Sequence, residues 1–229
     1  MTRFPILIYA AGMGTRMAHL TQDRPKPMVP VAGKPLIDHA LALVHASGVT
    51  GVCVMNLHYM GDQLRHHLSD QDVTFSDESD LLRETGGGLR HAMPLLGGSP
   101  VMTLNSDAVW SGPNPLQILA DAWDDTMQAL LLTVPRSQAL GHSGQGDFLI
   151  GPDGKLTRGP DEVYTGVQIV RTDALAGIKG DVFSTNVLWD KIAQDGGLHG
   201  ISYSGRWCDV GQPSSIIVAE HMLQEHADV

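Results

Sequence analysis

Apolar residues recur along this chain with two spacings, one typical of buried strands and one typical of amphipathic helices. Short apolar runs predict strands at residues 6–9, 52–55, 73–76, 101–105, 129–134, 163–171 and 198–203. Helical spacing predicts helices at residues 35–48, 60–68, 89–96, 116–123, 186–193 and 214–224. Because strands alternate with helices, the pattern favours an α/β fold with a largely parallel sheet. No repeat or long linker interrupts it, which predicts a single domain over residues 1–229.

Composition narrows the class of protein. With 229 residues the chain is long enough to bury about 70% of its unfolded surface. No apolar stretch approaches the roughly 20 residues that cross a bilayer, and the N-terminus carries no signal-peptide pattern. We therefore expect a soluble, cytoplasmic protein without a membrane partner. The only two cysteines, Cys53 and Cys208, fit reduced thiols rather than a framework of disulfides.

Charge is distributed unevenly along the chain. The net charge is −10, yet residues 1–34 contain five basic residues and one acid, so that this segment is +4 and the remainder is −14. An acidic body disfavours binding of nucleic acid, whereas a local basic patch attracts a small polyanion such as a nucleotide. For Arg3 and Lys34 a solvated basic turn is an adequate explanation. Arg16 and Lys26 flank a glycine-containing segment, which favours a role in binding.

The glycine-containing segment follows the first predicted strand. Ala11, Gly12, Gly14 and Thr15 come directly after residues 6–9, at the end of a strand where open α/β sheets bind ligands. Small residues there let backbone N–H groups close on phosphate oxygens, and Arg16 with Lys26 supplies positive charge. The segment therefore predicts a nucleotide-binding loop.

Two common nucleotide-binding motifs do not fit this loop. A dinucleotide-binding turn has the pattern G-x-G-x-x-G, but Met17 occupies the position of the third glycine. The second predicted strand leads into Asn56, Leu57 and His58 rather than an acidic residue for a ribose. The Walker pattern G-x-x-x-x-G-K-[ST] is absent.

A longer composite pattern does match a known family. The N-terminal residues read A-A-G-x-G-T-R-M, L-T, P-K-P-M and V-x-G-K-P, and E-T-G-G-G, N-S-D, G-D-F, Y-T-G and G-R-W-x-D-V-G follow in order. The chain thereby resembles the sugar-1-phosphate nucleotidyltransferases over essentially its whole length. The resemblance implies a Rossmann-like three-layer α/β/α sandwich with a mostly parallel mixed sheet. It also implies that a sugar phosphate oxygen attacks the α-phosphorus of a nucleoside triphosphate and expels pyrophosphate.

The resemblance further implies a role for each charged residue of the pattern. Asp107 and Asp209 match the family's pair of Mg²⁺ ligands, and a pair of carboxylates suits an ion whose other ligands are phosphates and water. Arg16 matches the residue that binds the departing pyrophosphate, and Lys26 the residue that approaches the α-phosphate. Taken alone, either aspartate could equally be a turn residue or a helix cap.

The resemblance also suggests residues for the base and the sugar. Thr85 and Gly86 match the stretch that meets the base, and three successive glycines suit close approach of a flat ring, with a flexible loop as the alternative. The expected sugar-phosphate contacts are Asn105, Gly146, Asp147, Glu162 and Thr165. For the two acids, simple solvation remains the alternative.

Among family members the short bacterial enzymes are the most similar. The resemblance implies uridylyl transfer from UTP to N-acetylmuramate 1-phosphate in peptidoglycan recycling, and the alternative is guanylyl transfer to a mannose- or heptose-type 1-phosphate. A noncatalytic sensor of nucleotide sugars would have lost Arg16, Lys26, Asp107 or Asp209, and all four are present. The sequence departs from the usual pattern at Ser106, Gln212 and Tyr9, none of which removes a charge.

Overall fold

Strands and helices alternate in the computed structural model, which describes residues Phe4 to Glu225 and leaves Arg3 outside its range. In that range strands β1 to β14 are, in chain order, Ile6–Tyr9, Pro30–Val31, Lys34–Pro35, Cys53–Leu57, Thr74–Asp77, Val101–Asn105, Ala108–Ser111, Ala129–Pro135, Ala139–Leu140, Phe148–Ile150, Leu156–Arg158, Glu162–Val170, Leu198–Ser202 and Arg206–Asp209. Helices α1 to α6 are Leu36–Ala46, Gly61–His67, Glu84–Leu96, Pro115–Ala122, Thr185–Gln194 and Pro213–Gln224. Short 3₁₀ helices lie at Thr15–Thr21, Lys26–Met28, Arg136–Gln138 and Asp173–Gly177.

The central sheet contains nine strands. Its main path is β11-β10-β12-β6-β1-β4-β5, and β8 pairs with both β12 and β13. The strand β1 is parallel to β4 and β6, while β12 runs antiparallel to β6 and β8. Only β12 and β11 therefore oppose the other strands of this sheet, and the predicted mostly parallel mixed sheet is confirmed. No helix in the described range is long and apolar enough to cross a membrane.

Helices cover both faces of the sheet. Side chains alternate along β1, so that Ile6 and Ile8 pack with α1, α2 and α4, whereas Leu7 packs with α3 and α5.

Helix α4 shows how local sequence sets the start of a helix. The Asn114 side chain accepts from the backbone N–H groups of Leu116 and Gln117 and so caps the helix. Burial of the Leu116 side chain contributes about 1.5–3 kcal/mol to the stability of the fold.

The predicted elements are found within a few residues of their expected positions, but the start of α3 differs, and the short strands β2, β3, β10 and β11 and one small sheet were not predicted. Helix α3 begins at Glu84 rather than at residue 89, because it includes the three glycines that the sequence left outside a helix. A small sheet, β7-β14-β9, was not predicted. Its strands pair residues far apart in sequence, and its placement brings Asp209 beside the end of β6.

Candidate active site

Polar residues lie side by side at the carboxyl ends of three neighbouring parallel strands. Tyr9 of β1 is in register with Asn56 of β4 on one side and with Asn105 of β6 on the other. All three contribute to a cavity of about 250 Å³. The other residues that line this cavity are Ala10, Ala11, Gly12, Lys26, Pro27, Glu78, Leu82, Glu84, Thr85, Ser106 and Asp107. The cavity is thus at the edge of the sheet where the sequence predicted a ligand.

The glycine turn enters this cavity directly from β1. Among the described residues, the backbone N–H groups of residues 11–16 find no hydrogen-bond acceptor. Ala11 and Gly12 line the cavity, and no atom lies within 4 Å of the position that a Cβ of Gly12 would take. Successive N–H groups without an internal partner form a concave donor surface that suits an anion.

Gly14 shapes the turn rather than lining the cavity. Its φ of +63° is in the left-handed region, and a Cβ there would lie 2.8 Å from Cβ of Lys26. The Thr21 hydroxyl donates to the Gly14 carbonyl at 3.0 Å and closes the turn. The glycine therefore allows the turn to pack tightly on Lys26. Thr15, one residue later, is exposed at the start of the following 3₁₀ helix.

Lys26 and Asp107 form an ion pair beside the turn. Lys26 Nζ donates to Asp107 Oδ2 at 2.8 Å, and the two side chains are 11% and 32% exposed. Lys26 begins the 3₁₀ helix Lys26–Met28, and Asp107 lies two residues after the end of β6. Because both line the cavity, a phosphate bound there would lie close to the ammonium group.

Asp209 lies next to Asp107. Strand β14 is antiparallel to β7 with Asp209 opposite Ala108, and the Val210 N–H donates to the Asp107 carbonyl at 2.8 Å. Burial raises the pKa of Asp209, and the nearby Asp107 raises it further, although Lys26, Arg16 and His142 act in the opposite direction.

The chemistry of this carboxylate pair fits a divalent cation. Within the described residues the Asp209 carboxylate accepts no hydrogen bond and forms no ion pair. A divalent cation between Asp107 and Asp209 would relieve their repulsion, and two carboxylates suffice for Mg²⁺ when phosphates and water complete its ligands. The described residues contain no cluster of three or more side chains of the types that bind metals, so the pair is the candidate.

Arg16 is on the same side of the site as Asp209. A Cβ at Gly211 would lie 3.0 Å from Asp209 Oδ2 and 3.4 Å from both terminal nitrogens of Arg16. The glycine therefore leaves room for the two charged groups to approach each other. Arg16 is exposed and forms no ion pair within the described residues, so that its guanidinium remains available to an anion.

The segment expected to meet a base is part of α3. Thr85 lines the cavity, and the Tyr9 hydroxyl donates to its carbonyl at 2.9 Å. Gly86 is buried, and a Cβ there would lie 2.6 Å from the Phe183 ring, while its N–H donates to the Phe183 carbonyl. Gly86 is not among the residues that line the cavity, so its expected contact with a flat ring stays a prediction. Close packing of α3 explains the glycine.

The residues expected on the sugar side are only partly brought together. Asn105 lines the cavity, but Gly146, Asp147, Glu162 and Thr165 do not. Asp147 accepts from the Tyr164 N–H at 2.8 Å, and Glu162 accepts from the Thr133 hydroxyl at 2.6 Å. The Thr165 hydroxyl donates to the Leu132 carbonyl, and Gly146, with φ +95°, packs against Pro160. In the structure these four residues make contacts within the sheet and the loop that precedes β12.

Several lining residues were missed from the sequence. Asn56 ends β4, and its position at the carboxyl end of a predicted strand next to β1 could have identified it. Glu78 follows β5 and is fully buried against Asn56, a contact that no sequence spacing reveals. Ser106 donates to the Tyr9 carbonyl at 2.6 Å, so this departure from the usual pattern stabilises the end of β1.

Comparisons with known proteins identify the family and the fold. A family model described as a MobA-like NTP transferase domain matches residues 6–151. The N-acetylmuramate alpha-1-phosphate uridylyltransferase of Caulobacter vibrioides is 37% identical, over 96% of each chain. A mannose-1-phosphate guanyltransferase of Hypocrea jecorina is 27% identical, over 92% of this chain and 62% of that enzyme. The structure of HddC from Yersinia pseudotuberculosis in complex with GMP-PN superposes with a TM-score of 0.77 at 20% identity, over 97% of this chain and all of that one.

Proposed function

The chain belongs to the MobA-like NTP transferase family and is a sugar-1-phosphate nucleotidyltransferase, and we propose that it transfers a uridylyl group from UTP to N-acetylmuramate 1-phosphate. The products are then a UDP-sugar and pyrophosphate. The uridylyltransferase activity of the Caulobacter vibrioides enzyme supports this choice, because the two chains match over nearly their full lengths. On this proposal the protein acts in cytoplasmic peptidoglycan recycling.

One observation carries the proposal. The glycine turn, with its unpartnered N–H groups, lies in the same cavity as Lys26 and Asp107, and Asp209 is adjacent. A site with anion-binding donors, a cation and paired carboxylates suits a metal-bound polyphosphate. The reaction needs no nucleophilic side chain from the protein, because the attacking oxygen belongs to the sugar phosphate.

The residues of the chain bind and position the reacting groups. The turn at residues 11–16 holds phosphate oxygens through backbone donors, and Lys26 stabilises the charge that develops on the α-phosphate during attack. Arg16 holds the departing pyrophosphate, since its guanidinium is free to pair with two oxygens. In-line attack then breaks the bond between the α- and β-phosphates and releases pyrophosphate.

Asp107 and Asp209 would hold the Mg²⁺ ion. When bound, the ion neutralises the negative charge of the triphosphate and of the developing transition state. The raised pKa of Asp209 supports this assignment, because the pair lacks a cation that both carboxylates can share. Lys26 already pairs with one oxygen of Asp107, so the negative charge of Asp209 is the less neutralised of the two.

The residues on the base side leave room for a planar ring. Leu82 supplies an apolar wall and Thr85 a polar one, and both line the cavity. Asn105 is placed to donate to or accept from a hydroxyl of the sugar 1-phosphate, since its side chain lies at the cavity between Tyr9 and Gly166. The choice of uracil is supported by the similarity to the uridylyltransferase.

A substrate panel tests the proposal. Each common nucleoside triphosphate would be combined with N-acetylmuramate, mannose and heptose 1-phosphates, with and without Mg²⁺, and pyrophosphate release would be measured. We expect the highest kcat/KM for UTP with N-acetylmuramate 1-phosphate and no turnover in EDTA. A preference for GTP with mannose or heptose 1-phosphate would instead establish the guanylyltransferase.

A further inference from the structure

Glu78 is a buried carboxylate that forms no ion pair within the described part of the chain. The residue is 0% exposed, yet it borders the cavity. Its Oε1 accepts from Asn56 Nδ2 at 2.8 Å, and its Oε2 accepts from the Arg83 backbone N–H at 3.1 Å. The guanidinium of Arg83 instead pairs with Asp80. A carboxylate buried in this way is costly unless its hydrogen bonds serve the structure around it.

The contacts of Glu78 extend to the glycine turn. Asn56 Oδ1 accepts from the Ala10 N–H at 2.8 Å, so that one chain of hydrogen bonds runs from Ala10 through Asn56 and Glu78 to Arg83. Ala10 opens the turn that binds phosphate in the proposed function, and Arg83 lies in sequence between Leu82 and Glu84, which line the cavity. The two sides of the cavity are therefore joined by buried polar contacts.

Helix α3 accommodates this chain of hydrogen bonds at Gly88. A Cβ at that position would lie 2.8 Å from Glu78 Oε1 and 3.0 Å from Asn56 Nδ2. Any larger residue would displace the carboxylate or the amide. A side chain is thus excluded at Gly88 by Glu78 and Asn56, whereas at Gly86 it is excluded by Phe183.

We propose that Asn56 and Glu78 are positioning residues that set the affinity for the nucleotide. They fix the Ala10 N–H, and with it the start of the phosphate-binding turn, relative to the wall at residues 82–85. The inference rests on the proposed function, because it assigns the two sides of the cavity to the phosphates and the base of one nucleotide. What matters is the order of donors and acceptors, and the negative charge itself is dispensable.

This order can be broken and restored by near-isosteric changes. Glu78→Gln puts an NH₂ group opposite either Asn56 Nδ2 or the Arg83 N–H, so one donor faces another. Asn56→Asp places a second carboxylate against Glu78. In the double variant Asn56→Asp/Glu78→Gln the Ala10 N–H donates to Asp at 56, Gln at 78 donates to that Asp, and the Arg83 N–H donates to the Gln oxygen. Each hydrogen bond is regained.

Steady-state kinetics of the four proteins test the inference. We expect each single variant to raise KM for UTP by about tenfold while changing KM for the sugar 1-phosphate by less than about threefold. The double variant should return KM for UTP to within about threefold of wild type. Asp121→Asn, an exposed carboxylate on α4 at the opposite face of the sheet, is the matched control and should behave as wild type.

The outcomes separate this inference from the proposed function. If the single variants are folded and keep the wild-type KM for UTP, or if the double variant is as impaired as either single one, the inference is overturned. Equal rises in KM for both substrates would also overturn it, because that result indicates a general structural role. Wild-type protein that transfers no nucleotide in any combination would refute the proposed function instead. The melting temperatures of the four proteins would then still report whether Asn56 and Glu78 are coupled.

Discussion

Lys26 Nζ donates a hydrogen bond to Asp107 Oδ2 across 81 positions of sequence. The pair joins the segment after the glycine turn to the end of β6, and it holds a largely buried ammonium group at the cavity. Without a nucleotide, Asp107 compensates the charge of Lys26. On the proposed function, the same ammonium group would contact the phosphates of a bound nucleotide, so this contact would link the resting site to the reaction.

Replacement of Lys26 by alanine tests its part in the reaction. We expect Lys26→Ala to lower kcat by a factor of about 10² to 10³, because a preorganised charge near the α-phosphate is lost. Pyrophosphate release measures the effect. Lys179→Ala, which removes an exposed lysine that does not line the cavity, is the control and should retain full activity. A folded Lys26→Ala protein with wild-type turnover would contradict the assignment.

The two glycines of the turn should respond differently to alanine. Gly14→Ala introduces a Cβ 2.8 Å from Cβ of Lys26 at a φ of +63°, and we expect the free energy of unfolding to fall by about 1–3 kcal/mol. Gly12→Ala meets no atom within 4 Å, and its stability should stay within about 0.5 kcal/mol of wild type. Its methyl group nevertheless enters the cavity, so KM for UTP should rise. Chemical denaturation and kinetics together check the contrast.

Removal of the Asp209 carboxylate should separate stability from activity. Asp209→Asn is expected to lower Mg²⁺-dependent turnover by about 10²-fold, because one of the two proposed ligands is lost. In EDTA, however, the variant should be at least as stable as wild type, since burial and Asp107 make the charged form unfavourable in the fold. A large loss of stability in EDTA would show that the carboxylate has a structural role instead.

The raised pKa of Asp209 also fixes the sign of a pH effect. The folded protein binds the proton more tightly than the unfolded chain, so the ionised carboxylate destabilises the fold. The penalty is absent below the ordinary pKa of an aspartate, grows as the pH rises toward the raised value, and is complete above it. Thermal melts of wild type and Asp209→Asn in EDTA should therefore converge in acid and diverge toward neutral pH. Curves that stay parallel across this range would contradict the prediction.

Gly86 is expected to matter for packing. Gly86→Ala places a methyl group 2.6 Å from the Phe183 ring and 2.9 Å from the Ser184 carbonyl carbon. We expect the free energy of unfolding to fall by about 1–3 kcal/mol despite the better helix propensity of alanine. Gly98→Ala, whose nearest neighbour would be Pro5 Cγ at 3.9 Å, is the control. Equal stability of the two variants would favour the original expectation of a base contact.

The spacing of apolar residues predicted the strands and helices that have a clear buried face in their own sequence. The strand Val101–Asn105 was predicted at its observed bounds because five residues with a buried apolar face suffice to mark it. The family and the fold class were also predicted correctly, since the charged and glycine positions occur in a fixed order.

What the sequence did not show depends on contacts between distant segments. The start of α3 at Glu84 was missed because glycines disfavour a helix locally, while the Phe183 carbonyl, which accepts from the N–H groups of Gly86 and Gly87, stabilises one there. Strand β14 is short and mixed in polarity, and its pairing with β7 is visible only in three dimensions. The hydrogen bond between Asn56 and Glu78 belongs to the same class.

The unpartnered donors of residues 11–16 are main-chain groups, whereas the facing wall at residues 82–85 includes side chains such as Leu82 and Thr85. On the proposed function, the part of triphosphate binding that these donors supply depends on the path of the backbone, and exchange of a side chain within the turn alters that part only where a new Cβ intrudes. On the same proposal, preference for one base over another depends on the side chains of the wall, which substitution can change. Substitutions at residues 82–85 are therefore expected to change which nucleotide binds while leaving the backbone contacts to the phosphates unchanged.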